Sequence, residues 1–276
     1  MQPPANCTRK ASPFSARSTT STALRPRSTI WGILQPTAAS TNRRALHEES
    51  LAVRRKLGDA GQIAVSLNNL GEVLRWQGRF AEARRLFEEA LELCWELEHW
   101  WGIALLCYNL GLVALYQHDL DQVQACFEES LALFGDINAR QGIGLAKSGL
   151  ARLASARGEI AQAYAPFAES LPMFVQSGDK RNVAEALEEI AFLHIQEARL
   201  EQAARLQGAA ARVREDVGLP LAPIDQPRRA SEAATVRQQI GTDVYVAAWN
   251  AGHALSVEQA MAEALQTYDG LSRAVG

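Results

Sequence analysis

An all-α fold of stacked helical hairpins follows from three features of this 276-residue chain. The first is a repeat. Leu67–Leu91, LNNLGEVLRWQGRFAEARRLFEEAL, returns forty residues later at Cys107–Leu131 as CYNLGLVALYQHDLDQVQACFEESL, and more weakly at Lys147–Leu171 and Leu187–Ala211. The second is helical spacing inside each copy: Ile63, Leu67, Leu70, Val73 and Leu74 form one apolar stripe, and Phe80, Ala83, Phe87, Ala90, Leu91 and Leu93 form the next. The third is the turn between the stripes, Gln77-Gly78-Arg79 and later Arg157-Gly158-Glu159, where glycine ends a helix by entering the left-handed region. Neither helix of such a pair covers its apolar face alone, so a fixed period predicts a stacked array.

Residues 1–44 stand apart from that pattern. From Met1 to His47 there is no Asp or Glu, while Arg9, Lys10, Arg17, Arg25, Arg27, Arg43 and Arg44 are basic. Pro26 and Pro36 interrupt any long helix there, and the Ser, Thr, Arg and Pro content predicts a disordered basic leader. The same composition is that of an organelle transit peptide, the functional alternative for this stretch.

Order is expected from near Arg43, with the array over residues 45–218. Glu48-Glu49-Ser50-Leu51 is followed at constant spacing by Glu88-Glu89-Ala90-Leu91, Glu128-Glu129-Ser130-Leu131 and Ala168-Glu169-Ser170-Leu171. Gly71, Gly111, Ala151 and Ala191 keep one register of small residues, and Ala83, Val123, Ala163 and Ala203 another. Phe80, Leu120, Ile160 and Leu200 keep a third, and Phe87, Phe127 and Phe167 a fourth. Small residues at 71 and 83 let two helices approach, and Phe87 fills the space beside them. The first hairpin lacks its leading helix, because the matching stretch is the proline-broken leader. An array that opens on a bare second helix exposes an apolar edge, so the chain is expected to be part of something longer.

After Gly218 the period stops. Residues 219–276 are expected to be a linker and a helical cap. Pro220, Pro223 and Pro227 predict an irregular connection. Helices are then expected over about Arg228–Ile240 and Thr242–Trp249, and a last one capped by Ser256 and running through Leu265.

These repeats resemble tetratricopeptide repeats. The family pattern of a large residue, Leu-Gly, an aromatic, Ala, an aromatic and Ala corresponds to Leu67, Leu70-Gly71, Leu74, Ala83, Phe87 and Ala90. The next copy supplies Cys107, Leu110-Gly111, Ala114, Val123, Phe127 and Ser130. Copies three and four depart further, with Lys147 in place of Leu, Pro166 in the second helix and Gln207 in place of Phe. The resemblance implies a right-handed superhelix of about four hairpins. The segment Ala204–Leu265 also resembles the end of bacterial regulators that join a nucleotide-switch ATPase to a tetratricopeptide array, often with a LuxR-type DNA-binding domain.

Catalytic and metal chemistry find no support in the spacing. Cys7, Cys94, Cys107 and Cys126 form no CxxC pair, which suits buried thiols in a reducing cytoplasm. His47, His99, His118, His194 and His253 show no HExxH or paired spacing. Gly142-Ile-Gly144-Leu-Ala-Lys147-Ser148 misses the phosphate-loop spacing and falls inside a helix register. Glu88-Glu89 and Glu128-Glu129 recur with the repeat and mark a solvated face. A net charge of −3 gives no reason to expect nucleic acid or an anionic membrane, and no apolar run reaches the roughly 20 residues of a membrane span. No enzyme and no cofactor is expected.

What remains is a binding surface. The resemblance places the first helix of each hairpin along a concave groove. Its positions map onto Val65, Asn68, Asn69, Glu72, Arg75 and Trp76, then Leu105, Tyr108, Asn109, Leu112, Leu115 and Tyr116. Ser148, Arg152 and Ser155 follow, then Glu185, Glu188, Glu189 and Phe192. The candidate contact set is Asn68, Asn69, Glu72, Arg75, Trp76, Tyr108, Asn109, Leu112, Tyr116 and Arg152. An Asn side chain offers a donor and an acceptor, suiting a peptide bond. Trp76, Tyr108 and Tyr116 are the aromatic residues of a binding hot spot.

The expected function is non-catalytic binding of a protein or peptide segment, as the sensor end of a bacterial signalling or transcription regulator. An ATPase domain of the same parent protein is one partner this implies. The alternative is a small-molecule inducer receptor using the same aromatic groove.

Overall fold

The computed structural model describes the chain from Ser40 to Val275, with side chains from Arg44 to Gln266. The basic leader therefore lies outside the described residues, apart from its end at 40–44, which opens the first helix. That helix, α1 (Ser40–Leu57), precedes four hairpins in strict register. They are α2 (Ala60–Trp76) with α3 (Phe80–Glu96), α4 (Trp100–Tyr116) with α5 (Leu120–Asp136), α6 (Arg140–Ala156) with α7 (Ile160–Ser177), and α8 (Lys180–Gln196) with α9 (Leu200–Asp216). Three helices follow: α10 (Gln226–Ile240), α11 (Thr242–His253) and α12 (Val257–Val275). There is no strand among the described residues.

Turn chemistry sets the period. Positive φ recurs every twenty residues, at positions 58, 78, 98, 118, 138, 158, 178, 198 and 218. Glycine fills five of these, Gly58, Gly78, Gly158, Gly178 and Gly218, while Glu98, His118, Asn138 and Ala198 adopt the same left-handed conformation with a side chain in place. Each turn is closed by backbone hydrogen bonds, as in Arg79 N–H to Leu74 O (2.9 Å) and Arg199 N–H to His194 O (2.8 Å). At the other end, Asp59, Asp119 and Asp179 accept from the N–H groups of Gln62, Gln122 and Asn182, and His99 Nδ1 accepts from that of Gly102.

Side-chain packing converts the register into a stack. Phe87, Phe127 and Phe167 are fully buried. A Cβ on Gly71 would lie 2.5 Å from the Phe87 ring, and one on Gly111 would lie 2.6 Å from that of Phe127. The aromatic of each second helix thus rests on the small residue of the first, as the spacing predicts. One core runs from α1 through α6, and a second from α6 through α9 to α12. Pro166 and Pro172 do not break α7, because Phe167, Leu171 and Phe174 are all fully buried and hold it to its neighbours. On α1, Leu46, Val53 and Leu57 are exposed.

The cap differs in detail from its expected limits. α10 starts at Gln226 and carries Pro227 in its first turn, where a missing N–H is no loss. α11 continues to His253, and α12 extends beyond Leu265. α9 has Gln207 where the earlier hairpins have Phe, and Tyr245 of α11 donates to its Oε1 at 3.3 Å. α11 then packs backbone to backbone on α9: a Cβ on Gly208 would lie 2.0 Å from Trp249 O, and one on Gly252 would lie 1.8 Å from Arg205 O.

Two outcomes test this description. Gly158 has open space around its Cβ position, so Gly158→Ala isolates the left-handed turn. It should cost about 1 kcal/mol, and Ala198→Gly at the equivalent turn should not destabilise, both read from denaturant midpoints. Equal, unchanged midpoints would contradict the role given to the turns. Gly208→Ala should cost roughly 1–3 kcal/mol and speed amide exchange across α11, leaving α2–α5 protected.

Candidate functional site on the inner helices

The first helix of each hairpin neighbours the first helix of the next, so α2, α4, α6 and α8 form a continuous inner layer. Every sequence-predicted contact residue sits on these helices. Asn68, Arg75, Tyr108, Asn109 and Leu112 are buried, whereas Asn69, Glu72, Trp76, Tyr116 and Arg152 are partly exposed. Asn109 Nδ2 donates to Asn68 Oδ1 at 2.8 Å, so the two amides bond each other across adjacent hairpins. Tyr108 packs on Phe127, ring centroids 5.7 Å apart, and Tyr116 stacks on Phe80 at 5.0 Å. The accessible part of the predicted set is therefore narrower than its length in sequence: Asn69, Glu72 and Trp76 on α2, with Tyr116 and Arg152 beyond them.

Charge fills the middle of this face. Arg152 donates to Glu185 at 2.8 Å, and Arg181 bonds the same carboxylate at 3.2 Å. Arg181 also reaches back to Glu72, 4.0 Å away, which brings α8 to α2 across two intervening hairpin layers. Burial alone would raise the Glu185 carboxyl, but Arg152, Arg181 and Arg214 outweigh it and hold it well below the ordinary range. Glu188 is gripped by both arms of Arg214, at 2.6 and 3.0 Å. Arg75 is 8% exposed, and its buried Nε has no hydrogen-bond partner. An unmet buried donor of this kind carries a desolvation cost that an acceptor would relieve.

The linker after α9 lies against the same layer. Ile224 Cδ1 sits 3.2 Å from the Cβ position of Gly78, at the turn after α2. Tyr116 Oη donates to Asp225 Oδ1 at 2.6 Å. Burial raises the Tyr116 hydroxyl pKa, and the Asp225 carboxylate raises it further, so it stays a donor. Three residues on, Arg228 and Arg229 close on α8. Arg228 Nη2 bonds Glu189 Oε2 at 2.8 Å with its guanidinium 4.7 Å over the Phe192 ring, and Arg229 Nη2 bonds Glu189 Oε1 at 2.6 Å. Glu232 accepts from both arginines, at 2.8 and 3.0 Å.

Arg181, Arg214, Ile224, Asp225, Arg228 and Arg229 were not in the sequence-derived set. A signal existed for the arginine pair: it follows a proline-rich linker directly, and Glu188-Glu189 lies on a first helix, not on the second helices that carry Glu88-Glu89 and Glu128-Glu129. Nothing in the sequence paired Asp225 with Tyr116, 109 positions away. Elsewhere the chemistry is quiet. Cys94, Cys107 and Cys126 are buried thiols outside any disulfide, and burial pushes the Cys94 thiol up to about 11. Among the described residues no group of three His, Cys, Asp or Glu side chains could hold a metal ion, and no helix is long and apolar enough to cross a membrane.

The carboxylates give the face a pH dependence. Burial would raise the Glu189 carboxyl, but Arg229, Arg228 and Arg152 hold it below its usual range, as others do for Glu185. A depressed folded value means that the stabilisation is whole above the ordinary glutamate pKa of about 4.3 and is lost as pH falls below it. The melting temperature should therefore decline between about pH 5 and 3, and Glu189→Gln should remove part of that decline while lowering stability at pH 7. Parallel pH profiles for the two chains would contradict the assignment.

Comparison with known proteins follows this geometry. A tetratricopeptide repeat model matches residues 44–96 and 62–136, that is, most of α1 and the first two hairpins. Comparison with curated proteins returns no match. Among solved structures, the chain is similar to BtubC (BKLC) from P. vanneervenii, with a TM-score of 0.53 over 86% of this chain and 92% of that one, at 16% identity. At that identity the likeness concerns fold alone. Residues 44–136 thus match the tetratricopeptide repeat, and the described chain has a tetratricopeptide-like α-solenoid fold.

Proposed function

We propose that this chain is a non-catalytic interaction module that takes a protein segment along the inner layer of α2, α4, α6 and α8. Tetratricopeptide repeats bind protein or peptide partners in general, and one observation favours that use of this face here. A stretch with no helix of its own, residues 219–222, leads into Ile224 and Asp225, which are seated against Gly78 and Tyr116. A face that accommodates one irregular segment has the polar and apolar contacts to accommodate another. Asn69, Glu72 and Trp76, partly exposed on α2, extend the contact surface beyond the part the linker touches.

The same proposal places the module at the regulatory end of a larger signalling protein. That rests on the resemblance of Ala204–Leu265 to the terminal part of ATPase-linked regulators. An ATPase domain of the parent protein is then a partner in cis, which a protein segment carried by that domain would satisfy.

The test is site-resolved photo-crosslinking. A benzoylphenylalanine at Trp76 should capture a partner that the same probe at Arg85, exposed on α3, does not. Asn69→Ala with Glu72→Ala should reduce capture from position 76 by about tenfold or more, the effect of losing one to two polar contacts. Equal capture from both positions, or capture indifferent to the two substitutions, would sink the proposal.

A further inference from the structure

The linker seen against the inner layer has the layout of a bound ligand. Pro220 and Pro223 fix φ near −65° and remove two N–H donors in a stretch where residues 219–222 form no helix, and Pro227 follows in the first turn of α10. Leu219 and Ala222 are buried. Ile224 and Asp225 make a two-residue hook, aliphatic against the turn at Gly78 and anionic against Tyr116. Arg228 and Arg229, in the first turn of α10, make the second anchor on Glu188 and Glu189 of α8. Long side chains and backbone from the far end of the chain are thus held at both ends of the face.

The two anchors differ in strength. At the arginine end Glu188 and Glu189 of α8 are each met by two guanidinium groups, Arg214 with Arg229 and Arg228 with Arg229. At the hook end the Asp225 carboxylate accepts one hydrogen bond, from Tyr116, and Ile224 adds one aliphatic contact at Gly78. The hook is therefore the end that a competing segment displaces first, because charge-assisted bidentate pairs are the stronger contacts.

We infer that residues 219–229 are a built-in occupant of the inner face, displaced by a partner segment of the same chemistry. That segment is proline- and aliphatic-rich and carries a carboxylate that sits on Tyr116. The inference rests on the proposed use of the inner layer for protein segments, and adds the chemistry of the partner and the element it must move. Displacement frees Asp225 and strains the Arg228–Arg229 anchor, so binding at the hook is transmitted to α10 and the cap.

The experiment uses the full chain and a fluorescein-labelled peptide with the sequence of residues 218–230, GLPLAPIDQPRRA, as the probe. By anisotropy, a chain carrying Ile224→Ala and Asp225→Ala should bind the peptide at least about tenfold more tightly than wild type, whose face is occupied. A peptide with Asn in place of its Asp should lose about tenfold on the weakened chain, and adding Tyr116→Phe should make the two peptides bind alike. In the wild-type chain, which needs no substitution, saturating peptide should accelerate amide exchange at 219–226 without accelerating it in α4. Equal binding by both chains, indifference to Asp or Asn, or unchanged exchange would each overturn the inference. So would a weakened chain that dimerises and ignores the peptide, since a second copy would then be the occupant. If crosslinking from Trp76 succeeds while these fail, the proposed function stands and the built-in occupant does not.

Discussion

The contact between an aromatic ring on one helix and a residue without a bulky side chain on the helix before it is what the rest of this molecule depends on. Phe87 rests on Gly71 and Phe127 on Gly111, with each ring wholly removed from water. Each such burial is worth about 1.5–3 kcal/mol, comparable to the whole net stability of many domains when summed over a stack. The close approach it allows fixes the angle between the two helices of a hairpin, and so fixes which residues of α2, α4, α6 and α8 end up on one surface.

That surface was expected to be a groove, and much of the layer is already taken by contacts within the chain. Its upper layer is a network of arginines and glutamates drawn from four helices: Glu72, Arg152, Arg181, Glu185, Glu188 and Arg214. Buried pairs of this kind add little net stability compared with apolar packing, but leaving one partner unpaired is costly. They therefore specify the curvature of the array more than they strengthen it. Arg181 meeting Glu72 is the clearest case, because the pair forms only if the turns between them are all in register. The linker and α10 extend the same network by adding Arg228, Arg229 and Glu232.

The cap shows how one repeat position can be reassigned. Where the first three hairpins place Phe87, Phe127 and Phe167, the last places Gln207, and the neighbouring Gly208 brings α11 down onto the backbone of α9. An aromatic from the partner helix, Tyr245, supplies the missing volume and donates to Gln207. The regular stack gives way where its last hairpin packs backbone to backbone against α11, a helix outside the forty-residue period.

The sequence by itself determined the repeat length, the paired helices, the turns at Gly78 and Gly158 and the aromatic-on-small packing. All of these are local or recur at a constant spacing, so one chain displays them several times over. The register also put the candidate residues Asn69, Glu72, Trp76, Tyr116 and Arg152 on the first helices of their hairpins, and the resemblance implied that these helices share one layer. Only the tertiary structure decided which of the candidates are open. Asn68 and Asn109 turn to each other, Tyr108 goes under Phe127, and Tyr116 is met by Asp225. Those outcomes depend on how far the superhelix curls and where a proline-rich linker travels after the period ends. Neither quantity is periodic, and both are set by contacts between residues more than a hundred positions apart, such as Glu72 with Arg181 and Tyr116 with Asp225.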